Sequence, residues 1–139
     1  WKENEYGERT NPTEKVIPAW KDRWLDACAL GKTEGFKTMI LVQPSLGTGD
    51  KKFYSSDELE NLPNTEHALR FIHNLEMMAK ELDYMSNTCD YVYDLRYIFD
   101  NTKEPLFYDP WHTNDLGNKI AADKIFELTL PIVLEETKN

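Results

Sequence analysis

Two short apolar runs, separated by one long amphipathic segment, constrain the fold of this chain most. Thr38–Gln43 and Asp90–Leu95 are rich in aliphatic, aromatic and β-branched residues, which is typical of strands buried in a parallel sheet. Between them, Thr65–Met85 repeats apolar residues at i, i+3 and i+4, which predicts a helix. Strands joined through a long helix imply right-handed βαβ crossovers. We therefore predict an α/β fold with a parallel sheet between helical layers.

Helices are also predicted on both sides of this central unit. Trp1 to Thr13 is polar and reads as a loop, after which Pro18 suits a first helical position and Gly31 a stop. The helix between them carries one apolar face: Trp20, Trp24, Ala27 and Cys28. A last helix is expected after Phe107, and Pro131 should kink or end it. Its aligned apolar residues are Ala121, Ile125, Leu128 and Ile132.

Two strands are few for such an architecture. Sheets commonly have about 4–6 strands, and two buried parallel strands alone would leave long unpaired edges. The 139 residues have the length of one ordinary domain and contain no internal repeat. We therefore predict a single domain over residues 1–139 whose sheet is incomplete and is finished by another segment or chain.

Charge and composition exclude several classes of partner. The net charge of −9 argues against nucleic acid or an anionic membrane surface, because both require a basic protein surface. No apolar run approaches the roughly 20 residues that a membrane span requires. Cys28 and Cys89 are the two cysteines, and they can either pair or remain as two buried thiols. The sequence leaves the cellular compartment unknown.

The run Asp109-Pro110-Trp111-His112 carries the strongest chemical signal. A carboxylate three residues before a histidine can hold one imidazole nitrogen, which leaves the other free to take a proton from a serine hydroxyl. The structural alternative makes Asp109 an N-cap, Pro110 the first helical residue and His112 an ordinary residue of the first turn.

The residues around this pair extend the pattern. Asn114 and Gly117 follow it, and an alanine-containing helix comes next. Together with Asp109 and His112, this stretch resembles the closing sequence block of the SGNH (GDSL-type) serine hydrolases. Gln43-Pro44 and Asp94-Leu95 resemble strand ends of the same family more loosely. The resemblance implies a three-layer α/β/α, flavodoxin-like fold, of which this chain is the C-terminal portion.

The resemblance also implies a mechanism. His112 would act as general base toward a serine and then as general acid toward the leaving alcohol, while Asp109 orients it. The family's Gly-Asp-Ser nucleophile block does not occur in this sequence. The expected partner is therefore an N-terminal segment or companion chain that carries it. The expected substrate is an ester of a small or carbohydrate-linked acyl group, and the chain alone is predicted to be inactive.

Several other features admit two interpretations. Ser45 follows a predicted strand end, but the loop after it is not the tight strand-to-helix turn of a nucleophile. Gly47–Lys52 can be a surface turn that borders an acyl pocket or a phosphate-binding loop. Tyr108 and Trp111 either wall a substrate pocket or bury the loop.

No cofactor or metal is indicated, since the chain has three histidines and no His-Glu-x-x-His motif. The alternative to an enzyme is a non-catalytic α/β binding or assembly module with the same fold.

Overall fold

The computed structural model describes residues 12–138, with side chains from Lys15 onward. It is a mixed α/β structure with a small parallel sheet and four helices in this range, as the sequence predicts at the coarse level. The elements in chain order are α1 (Pro12–Glu34), β1 (Met39–Val42), α2 (Ser56–Glu60), α3 (Glu66–Met85), β2 (Tyr91–Asp94) and α4 (Asp115–Glu136). Most of the loop predicted for residues 1–13 lies outside the described residues.

The chain divides into two compact units. The first consists of the described residues up to Val42 together with His73–Asp94, and the second consists of Gln43–Ile72 together with the described residues from Leu95 on. The first unit contains α1, the sheet and most of α3. The second contains α2, the start of α3, α4 and the Asp109–His112 run.

The sheet of the first unit confirms the predicted parallel pairing. β1 and β2 run parallel, with Met39 opposite Tyr91 and Val42 opposite Asp94. Ile40 and Val42 are buried, whereas every residue of β2 is only half-buried. Among the described residues the sheet has these two strands, so each has an outer edge without a neighbouring strand. The full burial expected of central parallel strands is therefore not reached in this part of the chain.

Asp90 joins the starts of the two strands. Its Oδ2 accepts hydrogen bonds from the backbone N–H and the hydroxyl of Thr38, both at 3.0 Å. Lys37 Nζ lies 3.5 Å from the other carboxylate oxygen. The Thr38 backbone hydrogen bond in particular, aided by the Thr38 hydroxyl and the Lys37 charge, lowers the pKa of Asp90 below its ordinary value.

Asp90→Asn should therefore destabilise the first unit in a pH-dependent way. A carboxylate with a lowered folded-state pKa stabilises the protein above its unfolded-state pKa, and this contribution is lost as the pH falls through the folded-state pKa. We expect a loss of roughly 1–2 kcal/mol near neutral pH, because a charge-assisted hydrogen bond is weakened. Urea unfolding from about pH 7 to about pH 2 measures it, with the exposed Asp83→Asn as control. A difference that persists unchanged at the acidic end would contradict the assignment.

α1 extends beyond both of its predicted ends. It begins at Pro12 rather than Pro18, which lies inside the helix, and it continues past Gly31 to Glu34. Gly31 is needed for close packing instead, because a Cβ there would lie 2.9 Å from the backbone oxygen of Phe36. The chain leaves the helix through Gly35, whose φ of +80° favours glycine. The predicted apolar face is partly realised, since Cys28 is buried but Trp24 is 42% exposed.

A disulfide bond between Cys28 and Cys89 resolves the alternative that the sequence leaves open. It links α1 to the turn before β2 across 61 residues, with a Cα–Cα distance of 4.9 Å. Both residues are buried within the apolar core of the first unit. Among the described residues, the other buried apolar residues of this unit are Ile17, Ile40, Val42, Leu75, Leu82 and Met85.

The second unit has its own apolar core. Leu46, Phe99, Leu106 and Phe107 are buried together, and the rings of Phe99 and Phe107 meet edge to face at 5.5 Å. α4 continues through Pro131, which was predicted to kink or end it, and stops at Glu136. No helix in the described range is long and apolar enough to cross a membrane.

Candidate functional site

The Asp109–His112 run belongs to a closed loop that we call the Asp-His loop, Leu106–Asn114. An antiparallel bridge between Phe107 and Thr113 closes its base. The backbone N–H of Asn114 donates to the Leu106 carbonyl at 2.7 Å, and that of Tyr108 donates to the His112 carbonyl at 2.9 Å. The chain between these bonds is therefore confined to one short turn.

Asp109 and His112 are in direct contact within this loop. Asp109 Oδ2 lies 2.7 Å from His112 Nδ1. The other carboxylate oxygen accepts hydrogen bonds from the backbone N–H groups of Trp111 and His112, both at 2.8 Å. One oxygen thus shapes the turn while the second holds the imidazole. An ionised Asp109 favours the tautomer with the proton on Nδ1, which leaves the Nε2 lone pair free to accept a proton.

The electrostatics of the pair agree with this geometry. The hydrogen bond from His112 is the main cause that lowers the pKa of Asp109, followed by the backbone hydrogen bond from Trp111. The His112 side chain is 74% exposed, so its free nitrogen is accessible from outside the chain. The alternative of Asp109 as the N-cap of the closing helix is wrong. Asn114 is the N-cap of α4, and its side chain accepts from the Gly117 backbone N–H.

Ser45 supports the Asp-His loop through a hydrogen bond to the loop backbone. The Ser45 hydroxyl donates to the Pro110 carbonyl at 2.5 Å, and the Leu46 backbone N–H donates to the same oxygen at 3.1 Å. Ser45 is 2% exposed, and its backbone N–H donates to the Thr48 hydroxyl. A buried hydroxyl that donates to a carbonyl is poorly placed to attack a substrate. Ser45 is therefore a structural contact of the loop in this chain.

The remaining serines also have local partners. Ser55 Oγ accepts from the Glu58 backbone N–H, Ser56 Oγ donates to Asp57, and Ser86 Oγ donates to the Asp83 carbonyl. All four serines of the sequence lie in the described range, and the hydrogen bonds of His112 involve Asp109 and the loop backbone. In this chain His112 has an orienting carboxylate but no serine hydrogen-bonded to it.

A cleft of about 500 Å³ opens beside His112. Its walls are formed by Gln43, His67, Phe71, Trp111 and His112. The Trp111 ring meets Phe71 at 6.0 Å and His67 at 6.2 Å between centroids, in edge-to-face arrangements. Trp111 thus lines the cleft, which is the position that a substrate-binding residue requires. Tyr108 is 68% exposed and is not among the residues that line it.

Comparison of the chain with protein-family models, curated proteins and solved structures finds no match.

The Gly47–Lys52 loop has a structural explanation. Gly47 and Gly49 have φ angles of 89° and 67°, which favour glycine. Lys51 is buried, and its ammonium group donates to the carbonyls of Thr102 and Glu104 at 2.9 and 3.2 Å. This lysine secures a neighbouring loop and is not directed outward toward a phosphate. In the described part of the chain no group of three or more His, Cys, Asp or Glu residues could hold a metal ion.

Sequence reasoning missed two sets of residues around the site. The first is α2 with Glu58, which holds the base of the Asp-His loop. Ser55-Ser56-Asp57-Glu58 matches the capping-box pattern, and that pattern could have identified the helix start. The second is the cleft wall formed by His67 and Phe71, four residues apart on α3. Their spacing indicates a shared helix face, but nothing local indicates that Trp111 packs against it.

Proposed function

We propose that this chain is the part of an SGNH-type serine ester hydrolase that supplies the catalytic base and its orienting acid. The observation that carries the proposal is the 2.7 Å contact between Asp109 Oδ2 and Nδ1 of the exposed His112 side chain, which leaves the second ring nitrogen, Nε2, to act as base. This is the arrangement that a histidine needs in order to accept a serine proton and then return it to the leaving group.

The nucleophile is expected on a segment outside these 139 residues. No Gly-Asp-Ser block occurs in the sequence, and none of its serines is hydrogen-bonded to His112. The half-buried β2 and the two-stranded sheet support the expectation of further strands. On α4, Phe126, Leu130 and Val133 form an exposed apolar stripe, which supports the same view. In the completed enzyme we expect the three-layer α/β/α architecture.

The cleft beside His112 supports an acyl-ester substrate. Phe71 and Trp111 offer apolar faces, while Gln43 and His67 provide hydrogen-bonding groups at the same cleft. An apolar surface with a few convergent polar groups is typical of small-molecule sites. A small or carbohydrate-linked acyl group is the substrate class we propose. The oxyanion would be held by backbone and side-chain donors that belong to the missing blocks.

A non-catalytic binding or assembly module is the second candidate. The observation that favours it is that every serine hydroxyl in this chain has a hydrogen-bond partner other than His112, which leaves the base without a nucleophile of its own. In that case Asp109 serves to hold the turn, and the cleft binds a ligand without reaction.

Labelling with a fluorophosphonate separates the two candidates. The reagent reacts with activated serines, and the intact mass of every polypeptide in the native material shows where the label lies. We expect a label on a Gly-Asp-Ser segment of the same protein or of a tightly bound partner, and its loss in His112→Ala. His73→Ala is the matched control, because His73 is an exposed histidine that does not line the cleft.

Two outcomes would contradict the proposal, the first its hydrolase function and the second the expected position of the nucleophile on another segment. Absence of label from all material that contains the folded chain would favour the binding module. Labelling or ester turnover by the purified chain alone, lost in His112→Ala, would show that the nucleophile lies within these 139 residues.

A further inference from the structure

Glu58 is the most deeply buried ionisable side chain among the described residues. It lies on α2, and its exposed fraction is 0%. A carboxylate taken out of water loses a large hydration free energy unless other groups donate hydrogen bonds to it. The groups that stabilise Glu58 therefore indicate what it does.

Its carboxylate accepts from three backbone N–H groups. Oε2 accepts from Ser55 at 3.0 Å, which completes the capping box of α2. Oε1 accepts from Leu106 at 2.8 Å and from Phe107 at 3.3 Å, 48 and 49 residues further along the chain. An ionised carboxylate has only acceptors, so it is suited to three donors at once. A capping residue needs only the first of these bonds, so the other two require a separate explanation.

Leu106 and Phe107 form the base of the Asp-His loop. The Leu106 carbonyl accepts from Asn114, and Phe107 is bridged to Thr113. Glu58 therefore binds the backbone N–H groups of the same two residues that close the base of the loop. Displacement of these residues would displace both ends of the turn that holds Asp109 against His112.

We propose that Glu58 is a positioning residue for His112, acting through the backbone of Leu106 and Phe107. Its effect on the His112 ring is a property of the loop alone, whereas its effect on turnover rests on the hydrolase function proposed above. Glu58 does not touch the substrate cleft, whose walls are other side chains. It holds the loop backbone in the position in which the Asp109 carboxylate contacts the His112 imidazole.

Glu58→Gln tests the proposal with little change in shape. The amide retains one acceptor but places an N–H₂ group against backbone donors, so at least one of the three hydrogen bonds is lost. Ser55→Ala is the matched control. It removes the Ser55 hydroxyl from the same capping box, while the three N–H groups that reach Glu58 remain.

The readout is the tautomer of the neutral His112 imidazole in long-range ¹H–¹⁵N spectra. In the unmodified protein and in Ser55→Ala we expect the Nδ1–H form to predominate. In Glu58→Gln we expect that predominance to be lost, with faster exchange of the Leu106 and Phe107 amides. If Glu58→Gln does not fold, Glu58→Asp replaces it, because its carboxylate is one methylene too short to keep all three bonds. An unchanged tautomer in a folded Glu58 variant, or an equal change in Ser55→Ala, would overturn the proposal.

A second measurement uses the completed hydrolase. Misplacement of the base should lower kcat by about 10²-fold and leave KM largely unchanged. The tautomer tests the positioning role of Glu58, and the activity tests the proposed hydrolase function, so one proposal can be wrong while the other is right. Loss of the Nδ1–H form without any hydrolase activity in the native material would remove the proposed function but leave the positioning role intact. An unchanged tautomer in a Glu58 variant of an active hydrolase would exclude the positioning role but leave the proposed function intact.

Discussion

Asp109→Asn is expected to lower the rate of serine acylation in the proposed hydrolase by about 10⁴-fold while leaving the fold unchanged. The asparagine side chain keeps an oxygen for the backbone N–H groups of Trp111 and His112, so the turn survives. Its amide nitrogen then replaces the oxygen that faces His112 Nδ1. Because that nitrogen is a donor, the imidazole must accept at Nδ1 and carry its proton on Nε2, where it can no longer act as base.

The rate constant of fluorophosphonate labelling measures this effect directly on the proposed nucleophilic serine. Asp115→Asn is the control, since Asp115 is an exposed carboxylate in the first turn of α4 and is not hydrogen-bonded to the imidazole. It should leave the labelling rate within a factor of two or so. A labelling rate in Asp109→Asn within tenfold of the unmodified protein would mean that Asp109 stabilises the turn but does not orient His112 as a base.

The sequence predicted those elements whose apolar pattern is regular. β1, α3 and β2 have the predicted positions to within one or two residues, because a buried run and an i, i+3, i+4 stripe are local signals. The ends of α1 could not be predicted in the same way. A glycine is a common helix stop, and the chain offers two of them, Gly31 and Gly35. The helix passes the first and ends before the second, whose φ is +80°.

The same difference between local and long-range signals applies to the candidate site. Asp109 and His112 are three residues apart, so a contact between them was plausible from spacing alone, and the structure brings them to 2.7 Å. The support of the loop was not visible in the sequence. Ser45 contacts Pro110 across 65 residues, and Glu58 contacts Leu106 across 48. Contacts at such separations depend on the packing of whole elements, and a single sequence carries no local pattern for them.

Removal of the disulfide is expected to lower the stability of the protein more than Asp90→Asn does. Cys28 and Cys89 are separated by 61 residues. A cross-link that closes a loop of this length reduces the entropy of the unfolded chain by the equivalent of about 4 kcal/mol. Domains of this size are stable by only about 5–15 kcal/mol, so the bond supplies a large share of the total. With a urea m-value of about 2 kcal/mol/M, the unfolding midpoint should fall by about 2 M.

Two ways of opening the bond separate the cross-link from the packing around it. Cys28→Ala with Cys89→Ala also removes two buried sulfur atoms from the core, which adds a cavity cost. Treatment of the unmodified protein with a reductant opens the bond and keeps both sulfurs in place. The chain-entropy argument requires that reduction alone produce most of the loss, with the double variant only somewhat less stable. A reduced protein whose urea midpoint matches that of the oxidised protein would show that the first unit is held by its apolar core and not by the cross-link.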